Sequence, residues 1–445
     1  MKYTPVIGLE VHVELNTKSK MFCGCDNNWF GATPNTHTCP VCLGLPGALP
    51  VPNKKAVEAC IKIGMALNCD IPLLSKFDRK NYFYPDLAKG YQISQYDQPF
   101  AEKGHIVLSN GKKYGITRAH MEEDTGKLMH ETGEGERVSL IDFNRSGSPL
   151  VEIVTEPDFT DGKEVKEYLQ KLQQIVRYLG VADADMEKGQ MRLEPNISLR
   201  KEGQTKLPNY KVEVKNINSF NFVEDAIHFE IKRQAALLDR GEIPAQETRG
   251  WDEDKKKTIS QRSKEEAADY RYFPEPDIPP FVWTEDYLDN LRSELPELPD
   301  GKKERFVRDF GLSDYNAELL TRFVETANYF EEAVNVLDVL QKKGEKTTDA
   351  KTVANWIINK KVDTQHVLPA KLIAEIIKVT SIDELPLEAL GKVLTSVLLH
   401  NEKVVADYKS GKENALMFLV GQSMKELKGK AKADSVKEKL KELIK

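Results

Sequence analysis

The residues able to do chemistry in this chain come in three patterns: carboxylates and histidines spaced two apart, cysteines in short pairs, and cations set among aromatics. The stretch Val6-Ile-Gly-Leu-Glu-Val-His-Val-Glu-Leu15 carries the first. Along an extended chain Ile7, Leu9, Val11, Val13 and Leu15 share one side, while Glu10, His12 and Glu14 share the other. A strand of this kind buries its apolar side and displays a row of potential metal ligands. One such row is a solvated surface. Here the design recurs. Leu140, Asp142 and Asn144 alternate with Ile141 and Phe143, and Leu150, Glu152, Val154 and Glu156 with Val151 and Ile153. Arg192, Glu194, Asn196, Ser198 and Arg200 alternate with Leu193, Ile197 and Leu199, and Lys211, Glu213 and Lys215 with Val212 and Val214. Several such fronts side by side make a polar floor of mixed sign, able to hold divalent ions and phosphates together.

His120-Met-Glu-Glu-Asp-Thr-Gly-Lys127 is the densest acidic cluster near a Gly-Lys pair. It lacks the Walker spacing, so it is no P-loop. Its carboxylates suit either Mg²⁺, which prefers oxygen ligands, or a solvated turn. The cysteines give the second pattern. Cys23 and Cys25 form one pair, Cys39 and Cys42 another, with thirteen residues between. Two short-spaced pairs predict a closed tetrahedral zinc site of structural type, with Gly24 allowing the first tight turn and His37 as a substitute ligand. Asp78 to Asp86, Lys89 to Gln95 and Asp269 to Asp277 give the third. In the first two, Tyr and Phe among Arg and Lys suit stacking on a base or ribose while the cations meet phosphate, or a packed Ω-like loop; the last suits ligand contact or a rigid domain-closing segment.

These residues need elements to hold them. Asn53 to Leu67 has a helical stripe of Val57, Cys60, Ile61, Gly64 and Met65, which makes Cys60 a core residue. Asp161 to Leu179 is a helix with a capping Asp161/Glu164 start and Gly180 at its end; Phe222 to Leu238 is another. Strands, helix, strands, helix indicate α+β with an antiparallel sheet. From Thr284 the chain becomes helical and Lys/Glu-rich, with Pro296 and Pro299 as a linker, a buried Trp356 and a second joint at Leu385-Pro386. Ser423 to Lys445 holds eight lysines against four acids, a helical face able to rest on phosphates. The expected division is 1–294, 295–380 and 381–445.

At 445 residues the chain has room for two or three cores, and its net charge of -6 argues against a generic polyanion binder. It contains no apolar run of spanning length and no signal-peptide pattern, so a cytoplasmic protein with no membrane association is expected.

Taken in order, a series of longer motifs resembles the GatB family, the B subunits of the aspartyl/glutamyl-tRNA amidotransferases. They are VIGLEVHVEL (6–15), CGC with CPVCLGLPGALP (23–50), DRKNYFYPD (78–86), KGYQISQYDQP (89–99), HMEEDTGK (120–127) and FNRSGSPLVEIVTEPD (143–158). MRLEPNISLR (191–200), VKNINSF (214–220), ETR (247–249), DYRYFPEPD (269–277), ANW (354–356) and GKENALMFLVGQSMK (411–425) continue the likeness. The chain departs from the family pattern at Leu193-Glu194-Pro195, where Cys-Asp-Ala is common, and in a short region after Trp356.

The resemblance implies a cradle domain of glutamine synthetase-like α+β class, then all-α helical and tail domains, the tail touching tRNA. It implies a heterotrimer with an amidase (glutaminase) partner, the A subunit, together with a small C subunit. ATP would phosphorylate the side-chain carboxylate of Glu on tRNA(Gln), or of Asp on tRNA(Asn), and ammonia from the amidase would displace phosphate. By the same likeness Glu10, His12, Glu123, Glu152 and Glu194 would hold Mg²⁺, and Glu10, Glu123, Asp124 and Glu152 would be catalytic. Asp124 would help deprotonate ammonium, and Arg192, Lys215, Asn196 and Ser198 would contact the nucleotide. The rival expectation is a zinc-bearing tRNA-binding scaffold whose catalysis sits in a partner.

Overall fold

The alternation at the N-terminus becomes a central strand. In the computed structural model, which describes residues 2–133, 136–263, 270–380, 387–427, 431 and 433–444, β1 (Tyr3–Glu14) lies between two antiparallel neighbours. Its Ile7, Leu9, Val11 and Val13, with the following Leu15, are at most 2% exposed. Burying side chains of this size stabilises the fold by roughly 1.5–3 kcal/mol each.

After β1 the chain forms α1 (Lys54–Ala66), β2 (Leu74–Ser75), β3 (Asp78–Asn81), β4 (Tyr91–Ser94), β5 (Ala101–Val107), β6 (Lys113–Glu123), β7 (Lys127–Gly133), β8 (Glu136–Asp142) and β9 (Pro149–Thr155). Then come α2 (Gly162–Tyr178), β10 (Met191–Lys201), β11 (Val212–Lys215), α3 (Phe220–Asp239), β12 (Glu247–Asp252), β13 (Lys257–Ser263), β14 (Phe273–Pro274), β15 (Phe281–Val282) and α4 (Glu285–Ser293). The main sheet has the order β13-β12-β11-β10-β1-β9-β6-β5. Its apolar side forms one core with α1, α2 and α3, including Cys60. The other side carries the polar rows. The class is α+β.

Local sequence sets the helix starts. The side chain of Asn53 accepts from the backbone N–H of Lys55 and Ala56, and that of Asp161 from Lys163. Such caps are worth about 1 kcal/mol each. Glu164 reaches back to the N–H of Thr160, and Gly180 ends the turn with φ +67.

The structure departs from the sequence reading in four places. First, β11 and β12 run parallel, so the sheet is mixed rather than wholly antiparallel. A parallel pair requires a crossover, which the 20 residues of α3 supply. Second, the alternating stretch at Leu140 to Asn144 pairs as β8 with β7 in a separate hairpin, outside the main sheet. Third, the aromatic segments contain strands: β3 and β4 pair, and β14 joins them through Phe273 opposite Arg79. Fourth, Trp356 is half-buried, with Lys360 Nζ 3.1 Å from its ring centre. Asp269, Leu385, Pro386 and part of the basic tail lie outside the described residues.

The chain divides into two compact units, Met1–Lys302 and Lys303–Lys445. Among the described residues the second unit is helical, with two apolar clusters. Phe306 and Phe330 pack with tilted rings at 5.0 Å in one, and Leu394, Leu419, Val436 and Leu440 fill the other. No described helix is long and apolar enough to cross a membrane.

Candidate active site and metal centres

Strand register, not sequence proximity, assembles the polar side. His12 stands opposite Arg192 on β10 and Glu152 on β9, and Glu152 stands opposite His120 on β6. One row therefore runs Arg192, His12, Glu152, His120 across four strands spaced about 4.8 Å apart. The next row along β1 sets Glu10 opposite Glu194. Glu10 and Glu152 thus face a common basin, close enough that the charge of Glu152 helps hold the Glu10 carboxyl above its ordinary value, after burial.

The first acidic group is buried. His12 Nε2 lies 3.6 Å and His120 Nε2 3.4 Å from the same oxygen, Glu152 Oε2. Glu122 Oε1 lies 3.7 Å from His120 Nε2 and 3.3 Å from Lys80 Nζ. Burial pushes the Glu152 carboxyl up, but the two imidazoles outweigh it and hold it well below the usual range. Glu122 is likewise carried down to about 2, burial being outweighed by Lys80 and His120. Donor atoms of His12, Glu122 and Glu152 fall within 4.8 Å of one another. The Nδ1 atoms of His12 and His120 are buried without a hydrogen-bond partner. A set of two carboxylates and an imidazole so arranged fits a divalent cation.

The second group is more open. Glu10, Glu194 and Glu213 also place donor atoms within 4.8 Å. Lys215 Nζ donates to Glu194 Oε2 at 2.9 Å and lies 3.7 Å from Glu213, while Asn196 Nδ2 donates to Glu10 Oε1 at 3.0 Å. Lys211 Nζ sits 3.9 Å from Glu10. Beside this group opens a cavity of about 380 Å³ lined by Glu10, Asn196, Ser198, Tyr210, Lys211 and Pro157 among others. Its mixture of an apolar wall, a lysine and the Glu10 carboxylate suits a flat heterocycle with a charged tail.

The remaining expected site residues fall in different places. Asp124 is buried against Arg192 Nη1 at 3.0 Å and Arg145 Nε at 3.6 Å. Burial raises its carboxyl, but the two guanidinium groups outweigh burial and keep it below the ordinary value. So held, Asp124 positions Arg192 and is a poor proton acceptor. Glu123 joins neither acidic group: it pairs with Lys89 and accepts from the backbone N–H of Ile93 at 3.0 Å. Ser198 Oγ donates to Val6 O at 3.3 Å.

Sequence reasoning missed Glu122 and Glu213 as site residues. A signal for Glu122 was present. Strand alternation from His120 puts Glu122, not Glu123, on the side of Glu152, once His120-Met-Glu-Glu is read as strand rather than turn.

The four paired cysteines converge. Sγ atoms of Cys23, Cys25, Cys39 and Cys42 lie within 4.8 Å, with Cys39 and Cys42 at 3.9 Å. That spacing matches the edge of about 3.8 Å expected of a tetrahedron with Zn–S near 2.3 Å. The Cys42 thiol is drawn down to about 4, chiefly by a hydrogen bond with Cys23, and also by the charge of Lys20. Lys20 is fully buried, with Nζ 2.7 Å from His37 O, 3.3 Å from Phe143 O and 3.6 Å from Cys42 Sγ. A buried lysine beside four converging sulfurs fits a metal centre. His37 Nδ1 is buried and unpartnered, outside the four-sulfur group.

Comparison with known proteins agrees with this architecture. Residues 5–289 match the family model described as GatB/GatE catalytic domain, and residues 364–444 match the GatB domain. A relative from Dehalococcoides mccartyi (strain ATCC BAA-2266 / KCTC 15142 / 195) is 46% identical over 493 aligned residues, covering 100% of this chain and 99% of the relative. Relatives from Carboxydothermus hydrogenoformans and Thermotoga maritima are each 45% identical, with coverage of 100% and 97% of this chain and 99% and 97% of theirs. All three are named as the B subunit of an aspartyl/glutamyl-tRNA(Asn/Gln) amidotransferase.

Proposed function

Since this chain belongs to the GatB family, we propose that it is the B subunit of a glutamine-hydrolysing, tRNA-dependent amidotransferase in the cytoplasm, working with an amidase partner, the A subunit, together with a small C subunit. Its substrate is Glu carried by tRNA(Gln), or Asp carried by tRNA(Asn). The observation that carries this reading is the meeting of two acidic groups with a ligand-sized cavity on one side of one sheet, among partly exposed cations.

The residues divide the work. The cavity beside Glu10, Asn196 and Lys211 takes the nucleoside of ATP, with the phosphates running toward the acidic groups. Mg²⁺ held by His12, Glu122 and Glu152, and by Glu10, Glu194 and Glu213, would neutralise phosphate charge and draw electron density from the γ-phosphorus. Lys215, and Arg192 held by Asp124, add fixed positive charge in the same basin. The side-chain carboxylate oxygen of the aminoacyl group attacks the γ-phosphorus and ADP leaves, giving an acyl phosphate. Ammonia produced by the amidase then attacks the acyl carbon, phosphate departs, and the surplus proton leaves to water. Neither step needs a protein nucleophile, which agrees with a basin built of charge rather than of reactive thiols or hydroxyls.

Zn²⁺ at the four cysteines is a structural part of this reading. The cradle spans 1–294, the helical domain 295–380 and the tRNA-contacting tail 381–445; the separate apolar clusters around Phe330 and Leu419 support the second division.

The test is a reconstitution. The chain with its amidase partner, charged tRNA, Mg²⁺-ATP and glutamine releases one ADP per amidated aminoacyl-tRNA, and ammonium replaces glutamine when the amidase is inactivated. Tight tRNA binding with no ADP release under either condition would favour the scaffold role instead.

A further inference from the structure

Two aromatic segments far apart in sequence take no part in the phosphoryl transfer, and the fold joins them. Tyr82 follows β3, and Tyr270 and Tyr272 precede β14, which pairs with β3. Tyr82 and Tyr270 meet edge to face at 6.0 Å, and Tyr270 meets Tyr272 at 6.3 Å. Tyr96 lies flat on Tyr272, with centroids 4.5 Å and ring planes 15° apart. These rings are not core: Tyr96 is 52% and Tyr270 43% exposed.

The row of rings borders the buried acidic group. Lys80 Nζ lies 5.3 Å from the Tyr270 ring centre and 3.3 Å from Glu122. Tyr82 Oη donates to Gln92 Oε1 at 3.4 Å, and Gln92 Nε2 donates to Glu122 Oε2 at 3.0 Å. The rings therefore lie on the β6 side of the basin. The nucleotide cavity lies on the β10–β1 side, and β10 is three strands from β6, about 14 Å across the sheet.

Two substrates must meet in this basin, and each brings a base. The cavity accounts for the base of ATP. The other substrate is an aminoacyl ester on the last ribose of an RNA, so its carboxylate arrives close to an unpaired terminal base. Unpaired bases are held by stacking on aromatic rings, which needs no free positive charge. That suits rings whose neighbouring cation, Lys80, is already paired with Glu122.

We infer that Tyr82, Tyr96, Tyr270 and Tyr272 form a stacking platform for the unpaired 3′-terminal bases of the charged RNA. The platform sets the aminoacyl carboxylate over the His12, Glu122 and Glu152 group. This rests on the reaction proposed above.

The experiment uses the full chain assembled with its partner subunits and compares Tyr270→Ala, Tyr272→Ala and Tyr272→Phe with the unaltered protein. The KM for charged tRNA rises about tenfold with each alanine, the scale of one lost stacked base. The KM for Mg²⁺-ATP stays within twofold, and Tyr272→Phe restores the KM for tRNA. An unchanged KM for tRNA in alanine variants that melt normally overturns the platform, as does a rise in the KM for ATP alone. A binding readout keeps this separate from the reaction itself. RNA carrying 2-aminopurine at its 3′ end loses fluorescence on the unaltered protein and retains it on the alanine variants. That result with no ADP release would keep the platform and remove the phosphoryl-transfer reading; equal quenching on every variant would remove the platform.

Discussion

The two acidic groups lie side by side on one sheet yet differ in how their charge is tolerated. The carboxylates Glu122 and Glu152 are buried beside a half-buried His12, and histidines and Lys80 compensate them. Glu10, Glu194 and Glu213 are partly open and lean on Lys215 and Lys211, whose side chains are 39% and 47% exposed. The lesson is that burial fixes geometry at an electrostatic cost, while openness leaves room for a ligand that arrives and departs. On the reaction proposed above, the closed group would suit a resident ion and the open one an ion that travels with the nucleotide.

The sharpest way to break this contrast is to remove one carboxylate from each group. Glu152→Gln takes away the oxygen shared by both imidazoles and is expected to lower kcat by at least about a thousandfold in the charged-tRNA assay. Glu194→Gln is expected to raise the KM for Mg²⁺-ATP about tenfold, with kcat within tenfold of the unaltered chain. Equal effects on kcat would erase the distinction. Stability should divide in the same way. Lys89→Met strands the buried Glu123 and is expected to cost on the order of 3 kcal/mol in denaturant unfolding. Lys215→Met, where the lysine is 39% exposed, should cost about 1 kcal/mol or less.

One further expected effect, confined to high pH, lies at Glu14, two residues beyond His12 on the same side of β1. Burial raises its carboxyl to about 7, although Trp29 Nε1 donates to Oε1 at 2.7 Å. The folded chain therefore binds a proton there more tightly than the unfolded chain does. That favours folding at low pH and is lost as pH rises from about 4.5 through 7. Glu14→Gln keeps the acceptor for Trp29. It is expected to add on the order of 2 kcal/mol at pH 8 and nothing at pH 4, read from melting curves at both.

Much of this was legible in the chain because period-two alternation is a local signal. Ile7 to Leu15 announced β1, Asn53 and Asp161 announced their helices, and Cys23 to Cys42 announced their own convergence. What stayed hidden depended on pairing between distant strands. The grouping of Glu10 with Glu194, and of Glu152 with His120, is a matter of register, which no single segment carries. Glu122 and Glu123 look alike in sequence, and only the extension of β6 through them sends one to the basin and the other to Lys89. The parallel pairing of β11 with β12 was similarly out of reach, since it depends on how α3 packs back on the sheet.

Gly147 joins the sulfur-bearing loop to the floor of the basin. With φ +84, its N–H donates to Asp124 O at 2.9 Å, and its carbonyl accepts from Met21 N at 2.7 Å. The Cβ of Cys42 would lie 3.4 Å from any side chain added there. The cysteine loop is thereby tied to the backbone of Asp124, the residue whose side chain holds the guanidinium of Arg192.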